Sequence, residues 1–155
     1  MLPEPVVRVK LALAALGAED TVTVFDSKVP TAAAAAAALG CDLAAITNSL
    51  VFDVGGAPLL ILASGAGRVD VRKVAAQLDA GQIRRASPEF VLEHTGQEVG
   101  GVAPVGHPEK ITTLLDESLA AQPVLWAGAG DHHAMFSISY DELRRITAAR
   151  VMPVR

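Results

Sequence analysis

Three short segments set polar or glycine-rich residues beside runs of strand formers: Ile46-Thr47-Asn48-Ser49-Leu50, Gly100-Gly101-Val102-Ala103-Pro104-Val105-Gly106-His107, and Gly128-Ala129-Gly130-Asp131-His132-His133. Loops held by rigid strands are the usual seat of binding and catalysis. In the second segment Gly100 and Gly101 remove side chains, so that backbone N–H groups can approach a ligand oxygen, while Pro104 fixes the loop and carries no donor itself. Such a run suits a carboxylate, a phosphate or a developing oxyanion. The same glycines would serve a tight surface turn, so the spacing alone names no reaction.

His107, His132 and His133 could orient a substrate or relay a proton, or could simply have their ring nitrogens satisfied by backbone. Metal ligation is disfavoured, because adjacent residues on a strand point to opposite faces and no acid stands at a familiar zinc spacing. Cys41 precedes Asp42, whose negative charge opposes thiolate formation and a nucleophilic role. Ser49 and Ser64 lack a Gly-x-Ser-x-Gly setting. Gly-Ala-Gly at 65–67 and at 128–130 lacks the third glycine and the βαβ context of a dinucleotide loop. The paired cations Arg84-Arg85 and Arg144-Arg145 read as solvated helix faces, with a phosphate contact as the alternative.

The elements that must position these residues follow from periodicity and capping. Val6, Val9, Leu13 and Leu16 recur at helical spacing over Pro5 to Leu16, with Gly17 as the stop. Val22 to Phe25 reads as a short strand. Thr31 caps an alanine-rich helix that Gly40 closes. Ile46 to Val54, the Gly55-Gly56 pair and Pro58 to Ala63 form a β-hairpin whose strands are central. Asp70 to Leu78 is helical, and Ser87-Pro88-Glu89 opens a short helix ending near Gly96. Gly100 to Pro108 is then an irregular loop. Ile111 to Leu115, Val124 to Ala127 and Ala134 to Ile138 are strands, and Ser139 with Glu142 forms a capping box for a last helix through Ala148. Helices at both ends and a hairpin without strict βαβ alternation predict a single α+β domain over residues 1–155, with a central mixed, largely antiparallel sheet and surrounding helices.

Composition narrows the function classes. The chain of 155 residues is 51% hydrophobic, 4% aromatic and 19% charged, with net charge −4. Its pI is near 5.5 and its mean hydropathy +0.37. Disorder is excluded by that apolar content. The longest stretch free of Asp, Glu, Lys and Arg, between Asp53 and Arg68, is interrupted by glycines and Pro58, so no membrane span is expected. An acidic balance without a basic recognition helix argues against a DNA-binding regulator, while a nucleic acid end could still be handled. One cysteine excludes an intrachain disulfide, and no secretory pattern opens the chain, so a cytoplasmic setting is expected.

Taken in order, several of these pieces resemble the YbaK/ProX family, the standalone relatives of the editing domain inserted in bacterial prolyl-tRNA synthetase. The resemblance rests on Thr31 to Gly40, Ile46 to Phe52, Leu62-Ala63-Ser64-Gly65 with Arg68-Val69-Asp70, and Thr95-Gly96. It continues through the specific string Gly-Gly-Val-x-Pro-Val-Gly-His at 100–107, then Leu115-Asp116-Glu117 and Val124-Leu125-Trp126-Ala127-Gly128. It implies an α+β fold with a mixed sheet and hydrolysis of the ester joining a wrong amino acid to the 3′-terminal adenosine of a tRNA. No metal or organic cofactor is implied. The expected partners are the 3′ end of a mischarged tRNA and an aminoacyl-tRNA synthetase. By the same resemblance Gly100, Gly101 and Val102 supply backbone donors, with Ser49, Pro104, Gly106, His107 and His133 as further substrate-binding candidates and Thr31 near the pocket lip. The family has a lysine immediately before its Ser-Leu or Thr-Leu pair, whereas this chain has Asn48 before Ser49-Leu50. Asn48 is thus the catalytic candidate on the strand, and its neutral amide leaves open a weakened or inactive module that binds aminoacyl-tRNA or an amino-acid derivative.

Overall fold

The computed structural model describes residues 2–155. Its helices are α1 (Glu4–Ala15), α2 (Ala32–Leu39), α3 (Val71–Leu78), α4 (Pro88–Thr95) and α5 (Tyr140–Thr147), with two 3₁₀ turns at Leu43–Ala45 and Glu117–Ala121. The strands are β1 (Thr23–Val24), β2 (Ile46–Val54), β3 (Ala57–Ser64), β4 (Ile83–Arg85), β5 (Thr112–Asp116), β6 (Leu125–Gly128), β7 (Ala134–Ile138) and β8 (Arg150–Met152). They form one sheet in the order β1-β7-β6-β2-β3-β5-β8, with β4 also paired to β2. The β1–β7, β2–β3, β2–β4 and β6–β7 pairs are antiparallel, while β2–β6, β3–β5 and β5–β8 are parallel. The expected mixed sheet with a central hairpin is therefore what forms.

Local chemistry explains most boundaries. The hairpin closes through Gly55 and Gly56, both at positive φ (61° and 93°), which a two-residue turn matched to the strand twist requires. The Asp53 carboxylate tightens that turn by accepting the Gly56 N–H at 2.7 Å. Thr31, Asp70, Ser87 and Ser139 each cap a helix, their side-chain oxygens accepting an N–H three residues on. Only half of the expected capping box at α5 forms, because Glu142 turns to Arg145 and makes two bonds with it at 2.6 and 2.9 Å. Arg84 and Arg85 lie on strand β4, not on a helix face, since that edge segment finds its backbone partners on β2.

Alternation divides the sheet into two faces. Val51, Leu60, Leu62, Leu115, Leu125, Ala127 and Phe136 point to one, where α1, α4 and α5 cover them with Val6, Val9, Leu13, Val91, Leu143 and Ile146. Val102, Ala103 and Val105 of the glycine-rich loop join this main core. The opposite face carries two smaller clusters. Val74 of α3 packs near Phe52, Leu59, Ile61 and Leu114, and Ala35 of α2 packs near Ile46 and Met135. No helix among the described residues is long and apolar enough to cross a membrane.

Candidate functional site

Asn48 lies on the second face between these two clusters. Along β2, Ile46 belongs to the patch under α2 and Leu50 and Phe52 to the patch under α3, so the half-buried Asn48 sits at the break between them. Its side chain makes no hydrogen bond to another described residue. Ser49, its neighbour, points to the main core with Leu62 as its pairing partner, because successive strand residues face opposite ways. The Ser49 and Thr47 hydroxyls are both buried there without partners. Asn48 and Ser49 therefore cannot line one pocket.

The sheet register brings the glycine-rich loop to Asn48. β2 and β6 run parallel with Thr47 opposite Ala127 as the last pair of the ladder, so Asn48 and Gly128 are the next residues along the two neighbouring strands. A side chain on Gly128 is impossible without rearrangement, since its Cβ would stand 2.7 Å from the Val102 carbonyl oxygen. That missing side chain lets the Gly101–Val102 backbone cross the sheet end. The loop is tied down there by a bond from Gly130 N–H to the Gly101 carbonyl, 2.9 Å long. Gly101 is itself pressed on the Asp131 backbone, with its Cβ position 3.0 Å from Asp131 Cα.

The loop offers fewer free donors than its sequence suggests. The Gly101 N–H is committed to the Glu98 carbonyl at 3.0 Å, closing a turn, so the expected triplet of donors is reduced. Gly100 and Val102 N–H groups have no internal partner among the described residues. Gly100 holds φ at +91°, a conformation that suits glycine alone. Pro104 is buried, and Gly106 packs on α1 with its Cβ position 3.1 Å from Val9 Cα. Both shape the loop from behind.

Two side chains brace the loop. Gln97 is fully buried, accepts the Ala103 N–H at 2.7 Å and donates to the Val105 carbonyl at 3.3 Å. Nothing in the sequence spacing singled it out, because a lone Gln before a Gly-Gly pair has no pattern of its own. His107 donates its Nε2–H to the Ala103 carbonyl at 2.8 Å. Burial pushes the His107 imidazole below its ordinary value, against the opposing effect of that bond. The ring supports the loop and is not free to touch a ligand through Nε2.

The histidine pair forms the adjoining wall. His132 lies against Gly100, where a Cβ would stand 2.7 Å from its Cε1, and its buried Nδ1 has no partner. His133 is held by Asp131, whose Oδ1 receives the His133 N–H at 2.9 Å and its ring Nδ1 at 3.0 Å. A carboxylate only accepts, so Nδ1 carries a proton in this pair. Burial pushes the Asp131 carboxyl up, but the hydrogen bonds from His133 and the charges of both imidazoles outweigh it and hold the group below its ordinary value. The acid was not singled out in sequence because its role depends on this fold-back of two residues. Thr31 caps α2 with its Oγ1 on the Ala34 N–H at 3.1 Å and remains exposed. No group of three or more His, Cys, Asp or Glu among the described residues is arranged to hold a metal. Burial raises the Cys41 thiol above its ordinary value, with Asp42 adding to the effect.

The sequence and the fold have counterparts among known proteins. A model of the aminoacyl-tRNA editing domain matches residues 26–146. The YwhH protein of Bacillus subtilis (strain 168), of uncharacterized function, is 32% identical over 134 residues, covering 86% of this chain and 85% of its own length. Proline–tRNA ligase of Lysinibacillus sphaericus (strain C3-41) is 31% identical over 86 residues, 56% of this chain but 15% of the ligase. A crystal structure proposed to be that of a trans-editing enzyme for prolyl tRNA synthetase superposes with a TM-score of 0.94 at 35% identity, covering 100% of this chain and 99% of the other.

Proposed function

The chain belongs to the aminoacyl-tRNA editing domain family, and on that premise we propose that it is a freestanding deacylase acting on mischarged tRNA. Its reaction is hydrolysis of the ester between a wrong amino acid and the 3′-terminal adenosine. The observation that carries this reading is the passage of the Gly101–Val102 backbone over Gly128 beside Asn48, with the Gly100 and Val102 N–H groups unengaged. Preorganised donors of this kind strengthen as an ester carbonyl becomes an oxyanion.

In the proposed reaction the ester carbonyl accepts from those two N–H groups, and the Asn48 amide donates to the ribose or to the same carbonyl. Water attacks the carbonyl carbon, the bond to the 3′ oxygen breaks, and the products are a free 3′ hydroxyl and the amino acid. The proton lost by water passes to the departing 3′ oxygen through the neighbouring ribose hydroxyl or through His133 Nε2, with Asp131 fixing the ring. An aminoacyl ester is already activated, so a modest base suffices. Thr31 would meet the ligand at the lip. The ligase relatives support tRNA charged by prolyl-tRNA synthetase as the substrate pool. Single-turnover assays over a panel of mischarged tRNAs test the reading. At least one ester should disappear faster than in buffer, and lifetimes equal to buffer for every substrate would overturn it.

The neutral side chain of Asn48 supports a second reading, a module that binds aminoacyl-tRNA or an amino-acid derivative without turnover. Asn48→Lys separates the two. If the variant cleaves a tRNA that the parent binds but leaves intact, the binding module is favoured.

A further inference from the structure

The segments that frame the site are poor in positive charge. Across Thr21–Thr31, Ile46–Leu50, Gln97–His107 and Trp126–Met135, Lys28 is the sole Lys or Arg, against Asp26, Glu98 and Asp131. Lys28 is exposed and forms no salt bridge with a described carboxylate, in contrast to Arg8, Lys10 and Arg145.

Its backbone is held against the histidine wall at both sides. Phe25 N–H donates to the His133 carbonyl at 2.7 Å, and Val29 N–H to the His132 carbonyl at 2.8 Å. The turn Asp26-Ser27-Lys28 lies between those anchors, and the Lys28 carbonyl carbon is bonded directly to the anchored Val29 nitrogen. The flexible four-carbon stem of Lys28 thus starts from a segment bonded to the His132 backbone, and the His132 ring itself packs on Gly100. A nucleotide whose 3′ end reaches the Gly100 donors carries its 5′ phosphodiester within one nucleoside's length of them. No other permanent cation on these segments is available to meet it.

We propose that Lys28 is the phosphate-binding residue of the site, and that it takes the phosphodiester leading into the terminal nucleoside of a single-stranded RNA end. The proposal rests on the deacylase reading for the identity of the ligand. It makes Lys28 a binding residue with no part in bond breaking.

The test compares two unreactive probes, the trinucleotide CpCpA and phosphate-free adenosine, by titration with the wild-type protein, Lys28→Ala and Lys28→Arg. CpCpA affinity should fall roughly tenfold in Lys28→Ala, the size of one charged hydrogen bond. It should recover in Lys28→Arg, and adenosine binding should be the same for all three. The slope of log affinity against log salt for CpCpA should become shallower by about 0.7 in Lys28→Ala. If the wild type cleaves a mischarged tRNA but Lys28→Ala binds CpCpA as tightly as the parent does, the proposal falls and the deacylase reading stands. If the wild type binds neither probe and cleaves nothing, that reading falls and the proposal with it.

Discussion

A methyl group on residue 100 would stand 2.7 Å from His132 Cε1 on a backbone held at φ +91°. Gly100→Ala must therefore push the loop or the imidazole aside, which displaces the Gly100 and Val102 donors while leaving the apolar core alone. A 1 Å error in donor placement costs about 10² in rate. Single-turnover cleavage should fall at least that far, with the melting temperature lowered by the strain of a side chain at this φ, and an unaffected rate would show that these amides do not meet the carbonyl. Position 48 tests the same site from the strand. A cation there can add about 2–4 kcal/mol of oxyanion stabilisation, or about 10²–10³ in rate, so Asn48→Lys should speed cleavage if the pocket is catalytic and slow only for want of charge. An unchanged rate would mean that the strand residue contacts the ligand away from the reacting carbonyl. The types of these residues were plain in the sequence. Their division was not, because whether Asn48 or Ser49 faces the loop depends on which side of the sheet α1 covers.

The loop from Gln97 to His107 keeps its shape through few bonds, and each can be broken separately. Gln97→Leu keeps the bulk but strands the Ala103 N–H and the Val105 carbonyl, each at about 1–3 kcal/mol. Gln97→Glu should cost more, because a buried carboxylate would turn a lone pair toward the Val105 carbonyl. Urea unfolding should rank wild type above Gln97→Leu above Gln97→Glu, and the reverse order for the two variants would contradict the assigned amide orientation. His107 adds a pH dependence. Its ring stays neutral in the fold below the ordinary value of 6.5 at which the unfolded chain takes up a proton. Its contribution is complete above about pH 6.5 and is lost as pH falls from there through the folded-state value. Unfolding midpoints between pH 7.5 and 5 should therefore drop less for His107→Gln than for wild type, and parallel profiles would show that the ring titrates normally. The caps at Thr31, Ser87 and Ser139, the hairpin and the irregular loop were all legible, since each is fixed by neighbours in sequence, whereas Asp70, expected as the first helical residue, caps α3 instead. β4 and β8 were not legible. Ile83–Arg85 and Arg150–Met152 are three-residue edge strands whose partners, β2 and β5, lie far away in the chain, and Ala148 ends α5 at φ +49° without the glycine that usually announces such a stop. For the same reason Gly128 showed nothing of its role, which exists only through the parallel register of β2 with β6.

At the scale of the whole molecule the surface charge limits how much RNA can be held. The chain has 13 Lys and Arg against 17 Asp and Glu, and several of the cations are already engaged, as in Arg8 with Glu4, Lys10 with Asp20 and Arg145 with Glu142. Others sit on separate elements, Arg72 on α3, Arg84 and Arg85 on β4, Arg144 on α5 and Arg150 on β8, with no run of basic residues on one helix or strand that could follow a duplex. The aromatic content of 4% leaves little for base stacking either. Binding should therefore be confined to the tip of the tRNA, with one or two phosphates neutralised. Counterion release from a single strand gives a slope of about −0.7 per phosphate in log affinity against log salt. Affinity for an uncharged tRNA should accordingly drop only about threefold to sevenfold between 50 and 200 mM salt, and CpCpA should show the same slope as the full tRNA. A slope near −4 for tRNA beside a shallow one for CpCpA would overturn this picture, since it would require a contact along the acceptor stem that this distribution of charge does not supply.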